Sequence, residues 1–239
     1  MADAPAPAPL LSVRGLEAWY GESKVLHGID FEVFPGEIVS ILGRNGVGKT
    51  TTLRSIMGLL SARKGSVRIN GTETVTAASR HIVRLGLGYV PEERGIFSSL
   101  NVEENLLLPP TIAPGGLSIE EIYALFPNLA ERRRSRGTLL SGGEQQMLSI
   151  ARVLRTGARL LLMDEPTEGL APALIDQIRH TIMKLKERAF TVLLVEQNFR
   201  FATKVADRHV VMQEGSVVEI MSRDDLQTGV DRLKTYLGV

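Results

Sequence analysis

The segment GRNGVGKT, residues 43–50, constrains the fold of this chain more than any other stretch. It follows the mostly apolar run EIVSIL and precedes a helical pattern that we expect to end near Leu60. A glycine-rich loop between a strand and a helix lets backbone N–H groups surround phosphate oxygens, and the helix directs its positive end at them. The alternative is a glycine turn that only caps a helix, which the order of strand, loop and helix disfavours. We therefore predict a phosphate-binding loop.

The residue types in this loop suggest particular roles. Lys49 would neutralise β- and γ-phosphates, and Thr50 would offer its hydroxyl to Mg²⁺, whose remaining positions go to phosphate oxygens and water. ATP and Mg²⁺ are therefore the expected ligands. The residues predicted to bind the nucleotide in this loop are Gly43, Arg44, Asn45, Gly46, Val47, Gly48, Lys49, Thr50 and Thr51.

Two acids, Asp164 and Glu165, follow the apolar run LLLM. Open α/β sheets bind ligands at the carboxyl ends of their strands, and two buried carboxylates need a compensating cation. We predict that Asp164 holds Mg²⁺, through a water, and that Glu165 deprotonates the water that attacks the γ-phosphorus. The alternative is a strand that simply surfaces into a charged loop.

A second anion site is expected at LSGGE. Ser141 and Glu144 have the spacing of a capping box, so a helix should begin here, with an apolar stripe at 147, 150, 151 and 154. A well-capped core helix accounts for part of this pattern. Gly142 and Gly143 also leave backbone amides uncovered at the positive end of the helix, where a second phosphate would bind.

Short apolar runs alternate with helical patterns and indicate an α/β fold. The runs LLLM, 160–163, and VLLV, 192–195, are continuously apolar, as in parallel strands covered on both faces. Residues 101–154 have helical spacing and no clear strand, which predicts a helical subdomain inserted between core strands.

Composition narrows the class of protein. The 28 basic and 27 acidic residues leave a net charge of +1, so there is no overall electrostatic case for nucleic-acid binding. The chain has no cysteine, which excludes disulfides and fits the cytoplasm. The sequence contains no run of 18 apolar residues, so no membrane span is predicted. The start MADAPAPAP lacks the features of a secretory signal. We expect residues 1–9 to form a flexible, extended tail.

The motifs GRNGVGKT, LSGGE, LLLMDEP and VEQN, in this order, resemble those of the ATP-binding subunits of ABC transporters, over roughly residues 10–222. The resemblance implies a P-loop core with a mostly parallel central sheet, an antiparallel β subdomain and an inserted helical subdomain. The implied core is about 10–91 and 157–239, and the implied helical subdomain about 92–156. In such ATPases two subunits pair head to tail, so that Ser141, Gly142, Gly143 and Glu144 of one close on the nucleotide of the other.

The resemblance also implies roles for three further residues. Tyr20 would stack on adenine, although an aromatic beside a glycine is as often in the core. Glu92 replaces a usual glutamine near the metal, where it would bind Mg²⁺ more strongly or repel phosphate when no metal is bound; the alternative is an exposed loop acid. Gln197 replaces a usual histidine at the γ-phosphate and joins Lys49 and Glu165 in the catalytic set. It can donate a hydrogen bond but cannot carry a charge.

These departures are typical of one branch, the smaller ATPase of branched-chain amino acid importers or of similar urea and short-amide importers. The resemblance implies a second ATPase subunit, two transmembrane permease subunits, indirectly a periplasmic binding protein, and a peripheral location at the cytoplasmic face of the inner membrane. One alternative is a soluble ABC ATPase acting on DNA or ribosomes, for which only the run RRRSR, 132–136, offers support; such a run is more often a solvated helix face. Another is a nucleotide-binding regulator that barely hydrolyses.

Overall fold

The structure is a computed structural model that describes residues 7–225. Its strands form two sheets, one with the order β2-β1-β4-β5 and one with the order β10-β9-β3-β8-β7-β6. In chain order the strands are β1 (Leu11–Tyr20), β2 (Ser23–Val33), β3 (Ile38–Leu42), β4 (Arg63–Ile69), β5 (Thr72–Glu73), β6 (Leu87–Val90), β7 (Leu160–Asp164), β8 (Thr191–Glu196), β9 (Arg208–Gln213) and β10 (Ser216–Ser222).

The larger sheet is the parallel core. Strands β9, β3, β8, β7 and β6 pair in parallel, and only β10 joins antiparallel, at the edge. Alternate residues of β7 enter different cores: Leu160 and Leu162 pack toward the smaller sheet, and Leu161 and Met163 toward the helices. Because both faces of β7 are covered, its residues 160–163 must all be apolar, as predicted. The carboxyl ends of β3, β6, β7 and β8 meet at one edge of the sheet.

The smaller sheet is antiparallel and covers one face of the core together with the first helix. The sequence analysis did not recognise β2, although Ile29, Phe31 and Val33 alternate and all are buried. That alternation is the usual signal of a half-buried strand. It also missed β5, which has only two residues and carries no periodicity.

Most of the helices cover the other face of the core, and those from Val102 to Arg155 form the region between β6 and β7. In chain order they are α1 (Lys49–Ile56), α2 (Ser79–Ile82), α3 (Val102–Leu107), α4 (Ile119–Leu125), α5 (Pro127–Glu131), α6 (Gly142–Arg155), α7 (Pro172–Glu187) and α8 (Phe199–Val205). The capping box at Ser141 is present, and the predicted stripe of α6 is buried. An α/β fold with two sheets and a helical insertion is confirmed.

Two local predictions were wrong. Helix α1 ends at Ile56, before Leu60, because Gly58 follows with a φ of +70°. The run 132–136 is not a helix face, since α5 ends at Glu131 and the arginines lie in the following turn.

Both ends of the chain were also given a prediction. Residues 7–9 have no regular structure, and the rest of the expected tail, residues 1–6, lies outside the described residues. The sequence of residues 216–239 predicts a strand and then a short amphipathic helix; the strand is β10, and the predicted helix lies outside the described residues. Within residues 7–225, every helix is too short or too polar to cross a membrane.

Candidate functional site

The phosphate-binding loop connects the buried strand β3 to α1. Gly43 has no room for a side chain, since a Cβ there would lie 2.7 Å from the carbonyl oxygen of Met212. Gly48 has a φ of +105°, which L side chains rarely adopt, and its Cβ would lie 2.8 Å from Leu26. These two glycines therefore fix how closely the loop packs on β9 and β2, and they leave its backbone N–H groups uncovered.

The loop residues divide between two cavities and the core. A cavity of about 250 Å³ is lined by Asn45, Gly46, Gly48, Lys49, Thr50, Thr51, Glu92, Glu165 and Glu168. Gly43, Arg44 and Asn45 line a larger cavity beside it. Val47 differs from the others, because its side chain packs against the core and its carbonyl accepts a hydrogen bond from Gly215 at 3.0 Å.

Lys49 is buried at the base of the smaller cavity. Its Nζ donates to the carbonyls of Gly43 and Arg44 at 3.0 and 3.2 Å, and it lies 3.1 Å from Oε1 of Glu165. Only 4% of the Lys49 side chain and 10% of Glu165 are exposed. The loop thus holds the Lys49 ammonium in place, and an incoming phosphate would compete with Glu165 for this ammonium.

Asp164 joins the end of β7 to the phosphate-binding loop. Its Oδ1 accepts a hydrogen bond from the Thr50 hydroxyl at 2.9 Å, and its Oδ2 accepts one from Tyr89 at 3.0 Å. The side chain is fully buried, and burial raises the pKa of Asp164, while the two hydrogen bonds act in the opposite direction. Burial and the nearby Asp164 charge also raise the pKa of Tyr89, so its hydroxyl stays a donor.

These oxygens fit a hard cation such as Mg²⁺. The Thr50 hydroxyl and a buried carboxylate lie side by side, and Glu92 lines the same cavity. Among residues 7–225, no three carboxylate, histidine or cysteine side chains converge as a metal site.

Glu165 has an unusual backbone, with a φ of +43°. Its N–H donates to the carbonyl of Val195 at 2.9 Å, and its carbonyl accepts from the N–H of Glu168 at 3.1 Å. A hydrogen bond with Glu165, followed by burial, raises the pKa of Glu168. Two carboxyl groups therefore share this side of the cavity.

Gln197 is the first residue after β8, and it lines the larger cavity, which has a volume of about 1020 Å³. Its side chain is exposed, and Glu165, Thr167 and Glu196 line the same cavity. The carboxyl ends of β7 and β8 thus bring Gln197 and Glu165 to one space. The polar residues Glu196, Gln197 and Asn198, at the end of β8 and directly after it, therefore all line this cavity.

The segment Ser141–Glu144 lies elsewhere. The hydroxyl of Ser141 accepts from the N–H of Glu144 at 3.3 Å, and the N–H of Ser141 donates to the Glu144 carboxylate at 2.7 Å. Ser141 is exposed, and this segment lines neither of the two cavities. The structure therefore does not bring it together with this chain's own Lys49.

Tyr20 is 45% exposed at the end of β1, so the alternative that it belongs to the core is wrong. Its hydroxyl interacts with Arg54 of α1, and this hydrogen bond raises the pKa of Arg54. Tyr20 is therefore placed beside the helix that follows the phosphate-binding loop.

Tyr89, Glu168 and Glu196 contact or line the site but were not predicted from the sequence. Tyr89 lies in the run GLGYVP, 86–91, and Glu168 in the run PTEGLAP, 166–172, and neither has a distinguishing spacing. Glu196 had a signal, since it is the acid at the end of the apolar run LLV, but only its neighbour Gln197 was interpreted.

Comparison with known proteins identifies the family. Residues 26–168 match the family described as ABC transporter. The high-affinity branched-chain amino acid transport ATP-binding protein BraG of Pseudomonas aeruginosa is 41% identical, covering 96% of this chain and 100% of that protein. The probable branched-chain amino acid transport ATP-binding protein LivF of Archaeoglobus fulgidus is 35% identical, covering 87% of this chain and 90% of that one.

A solved structure gives the same result. The ATP-binding subunit of an ABC transporter superposes with a TM-score of 0.81 at 30% identity, covering 96% of this chain and 100% of that one. The chain belongs to the ABC transporter family and is one of its ATP-hydrolysing subunits.

Proposed function

We propose that this chain hydrolyses ATP to energise the import of branched-chain amino acids, at the cytoplasmic face of the inner membrane. The assignment of branched-chain amino acids as the solute class rests on the 41% identity to BraG along the whole of that protein. The other ATPase subunit, two permease subunits and a periplasmic binding protein complete the proposed importer. Similar small polar solutes, such as urea or short amides, are the alternative cargo.

The first step is phosphate binding at the Lys49 loop. In the structure the Lys49 ammonium lies 3.1 Å from the Glu165 carboxylate. On binding, the β- and γ-phosphates replace Glu165 as its partner. The uncovered N–H groups of Gly46, Gly48 and Thr50 bind phosphate oxygens at the positive end of α1. This exchange releases the Glu165 carboxylate from its ion pair as the substrate arrives.

Thr50, Asp164 and Glu92 are the residues that would hold Mg²⁺. Bound there, the ion would offset the charge of the phosphates and of Asp164. Asp164 is kept in one orientation by its two hydroxyl donors. Glu92 contributes negative charge, so it strengthens the site for a cation and weakens it for phosphate alone.

Glu165 serves as the general base. It accepts the proton of the attacking water, and Gln197 donates a hydrogen bond that positions the γ-phosphate. The support is their shared placement at the ends of β7 and β8. Tyr20 stacks on adenine, for which its exposed ring beside α1 is available.

The Ser141–Glu144 segment binds the nucleotide of a second subunit. In support, Ser141 is exposed, and the segment lies at the N-terminus of α6 and stands apart from this chain's own phosphate-binding loop. A helix N-terminus favours an anion. A head-to-tail pair would close two such segments on two nucleotides.

The test is co-purification from native membranes followed by uptake into vesicles. The subunits that accompany the chain are identified, and the complex is assayed with radiolabelled leucine, urea and acetamide. ATP-dependent leucine uptake that Lys49→Ala abolishes supports the proposal. Uptake of urea instead would correct the solute class, and co-purification with nucleic acid or ribosomes would overturn the transport assignment.

A further inference from the structure

Glu196, the last residue of β8, is 2% exposed and binds two loops at once. Its Oε1 accepts hydrogen bonds from the N–H and the hydroxyl of Thr167, at 3.2 and 2.8 Å. Its Oε2 accepts one from the N–H of Asn198 at 3.2 Å. One carboxyl group therefore connects the loop after β7 to the loop after β8.

The first of these loops carries Glu165 in a backbone conformation that has to be held. A non-glycine residue at a φ of +43° persists only when the surrounding structure fixes it. The Glu165 N–H is held by Val195, and two residues further on Thr167 is held by Glu196. Both anchors of this turn are thus on the end of β8.

The second loop carries Gln197 between two fixed residues. Glu196 is buried on one side, and on the other Asn198 accepts a hydrogen bond from Phe201 N–H at 3.1 Å, which caps α8. Because Glu196 also holds the Asn198 N–H, the Gln197 backbone has little freedom.

An acid at this position is costly for stability. The other residues of β8 are buried, and all but Thr191 are apolar. Burial is the largest influence on Glu196 and raises its pKa to about 7. An apolar residue would pack here at lower cost, but it would leave the donors of Thr167 and Asn198 without their acceptor.

We propose that Glu196 is a positioning residue for ATP hydrolysis, which through Thr167 and Asn198 sets the general base Glu165 and the phosphate-contacting Gln197 in one arrangement. This inference rests on the proposed roles of those two residues. It assigns Glu196 no contact with ATP, so its removal affects turnover more than nucleotide binding.

The experiment measures kcat and KM for ATP on the full chain, alone and reconstituted with its membrane partners. Thr167→Val removes the hydroxyl while keeping the side-chain volume, and Glu196→Gln turns an amide NH₂ toward the Asn198 N–H. For each we expect kcat to fall about 10- to 100-fold, with KM within about threefold of wild type, as for other small misplacements of reacting groups. Thr167→Ser keeps the hydroxyl and should restore kcat to within about threefold.

Thr181→Val is the matched control. Thr181 is 5% exposed on α7, and its hydroxyl donates only to the carbonyl of Gln177. The same substitution there should leave kcat unchanged, which separates positioning from a general loss of packing. The double variant Glu196→Gln, Thr167→Val loses the contacts of the carboxyl group to both loops, so it should be no faster than either single variant.

Turnover within twofold of wild type for both Thr167→Val and Glu196→Gln would overturn the proposal, as would equal losses in Thr181→Val. A rise in KM with unchanged kcat would also overturn it, since that would place Glu196 in nucleotide binding. Wild-type chain that hydrolyses no ATP in either preparation would instead contradict the proposed function itself. If Glu196→Gln does not fold, Thr167→Val and Thr167→Ser alone decide the outcome.

Discussion

Tyr89→Phe tests whether the hydrogen bonds to Asp164 hold the site together. The substitution removes only the hydroxyl that donates to Oδ2 of a fully buried carboxylate, at 3.0 Å. A hydrogen bond to a charged group contributes about 1.5–3 kcal/mol, and for a chain of this length each kcal/mol shifts Tm by about 2–4 °C. We expect Tm of the nucleotide-free protein to fall by roughly 3–12 °C.

The chain offers a matched control for this change. Tyr123 is also half-buried, but its hydroxyl has no hydrogen-bond partner among residues 7–225. Tyr123→Phe should therefore leave Tm unchanged or raise it slightly, because an unsatisfied buried hydroxyl is removed. Differential scanning calorimetry of both variants measures the difference.

The same variant has a consequence for catalysis. With only Thr50 left as a donor, the Asp164 carboxylate is free to rotate, so a higher Mg²⁺ concentration should be needed for half-maximal turnover. A Tyr89→Phe protein as stable as wild type, or one that loses no more stability than Tyr123→Phe, would refute this reasoning.

Three further predictions concern Lys49, His209 and Gln197. Lys49→Ala removes charge-assisted hydrogen bonds to two phosphates, each of which contributes about 1.5–3 kcal/mol. The Kd for ATP, measured by isothermal titration calorimetry, should therefore rise about 10²- to 10⁴-fold. Lys64 is exposed, so the control variant Lys64→Ala should bind ATP as wild type does. His209 is fully buried, and burial lowers its pKa to about 4, from an ordinary value of 6.5. The unfolded chain therefore binds a proton that the folded chain does not bind as pH falls from 6.5 toward 4. Over that window wild type should lose roughly 3 kcal/mol of stability relative to His209→Gln in urea titrations, because the contributions of other titrating groups, such as Glu196, are common to both proteins. Gln197→His should keep turnover within about threefold between pH 6 and 8 if Gln197 acts as a hydrogen-bond donor; a large gain at low pH would show that the site lacks a charge.

The local features of this fold could be read from the sequence because each depends on neighbouring residues. The capping box at Ser141 needs only residues three apart. The continuous apolar run of β7 and the glycine loop before α1 are likewise local. Strand β2 was missed because its buried residues Leu26 and Ile29 stand three apart, which limits the alternation to the short stretch from Ile29 to Val33.

The contacts that build the site are not local. Thr50 and Asp164 are 114 residues apart, Tyr89 and Asp164 75, and Thr167 and Glu196 29. Periodicity within one segment carries no information on such pairs, because they arise when parallel strands align their carboxyl ends. Single residues of the site were therefore predictable, while their hydrogen-bond partners were not.

The central claim is that Glu165 is the base for ATP hydrolysis, beside a lysine that binds phosphate. Its most direct test is the single-turnover rate of Glu165→Gln with bound ATP. The account predicts a rate about 10²- to 10⁴-fold below wild type, with ATP bound at least as tightly, because one negative charge beside Lys49 is gone. An unchanged rate would contradict the account.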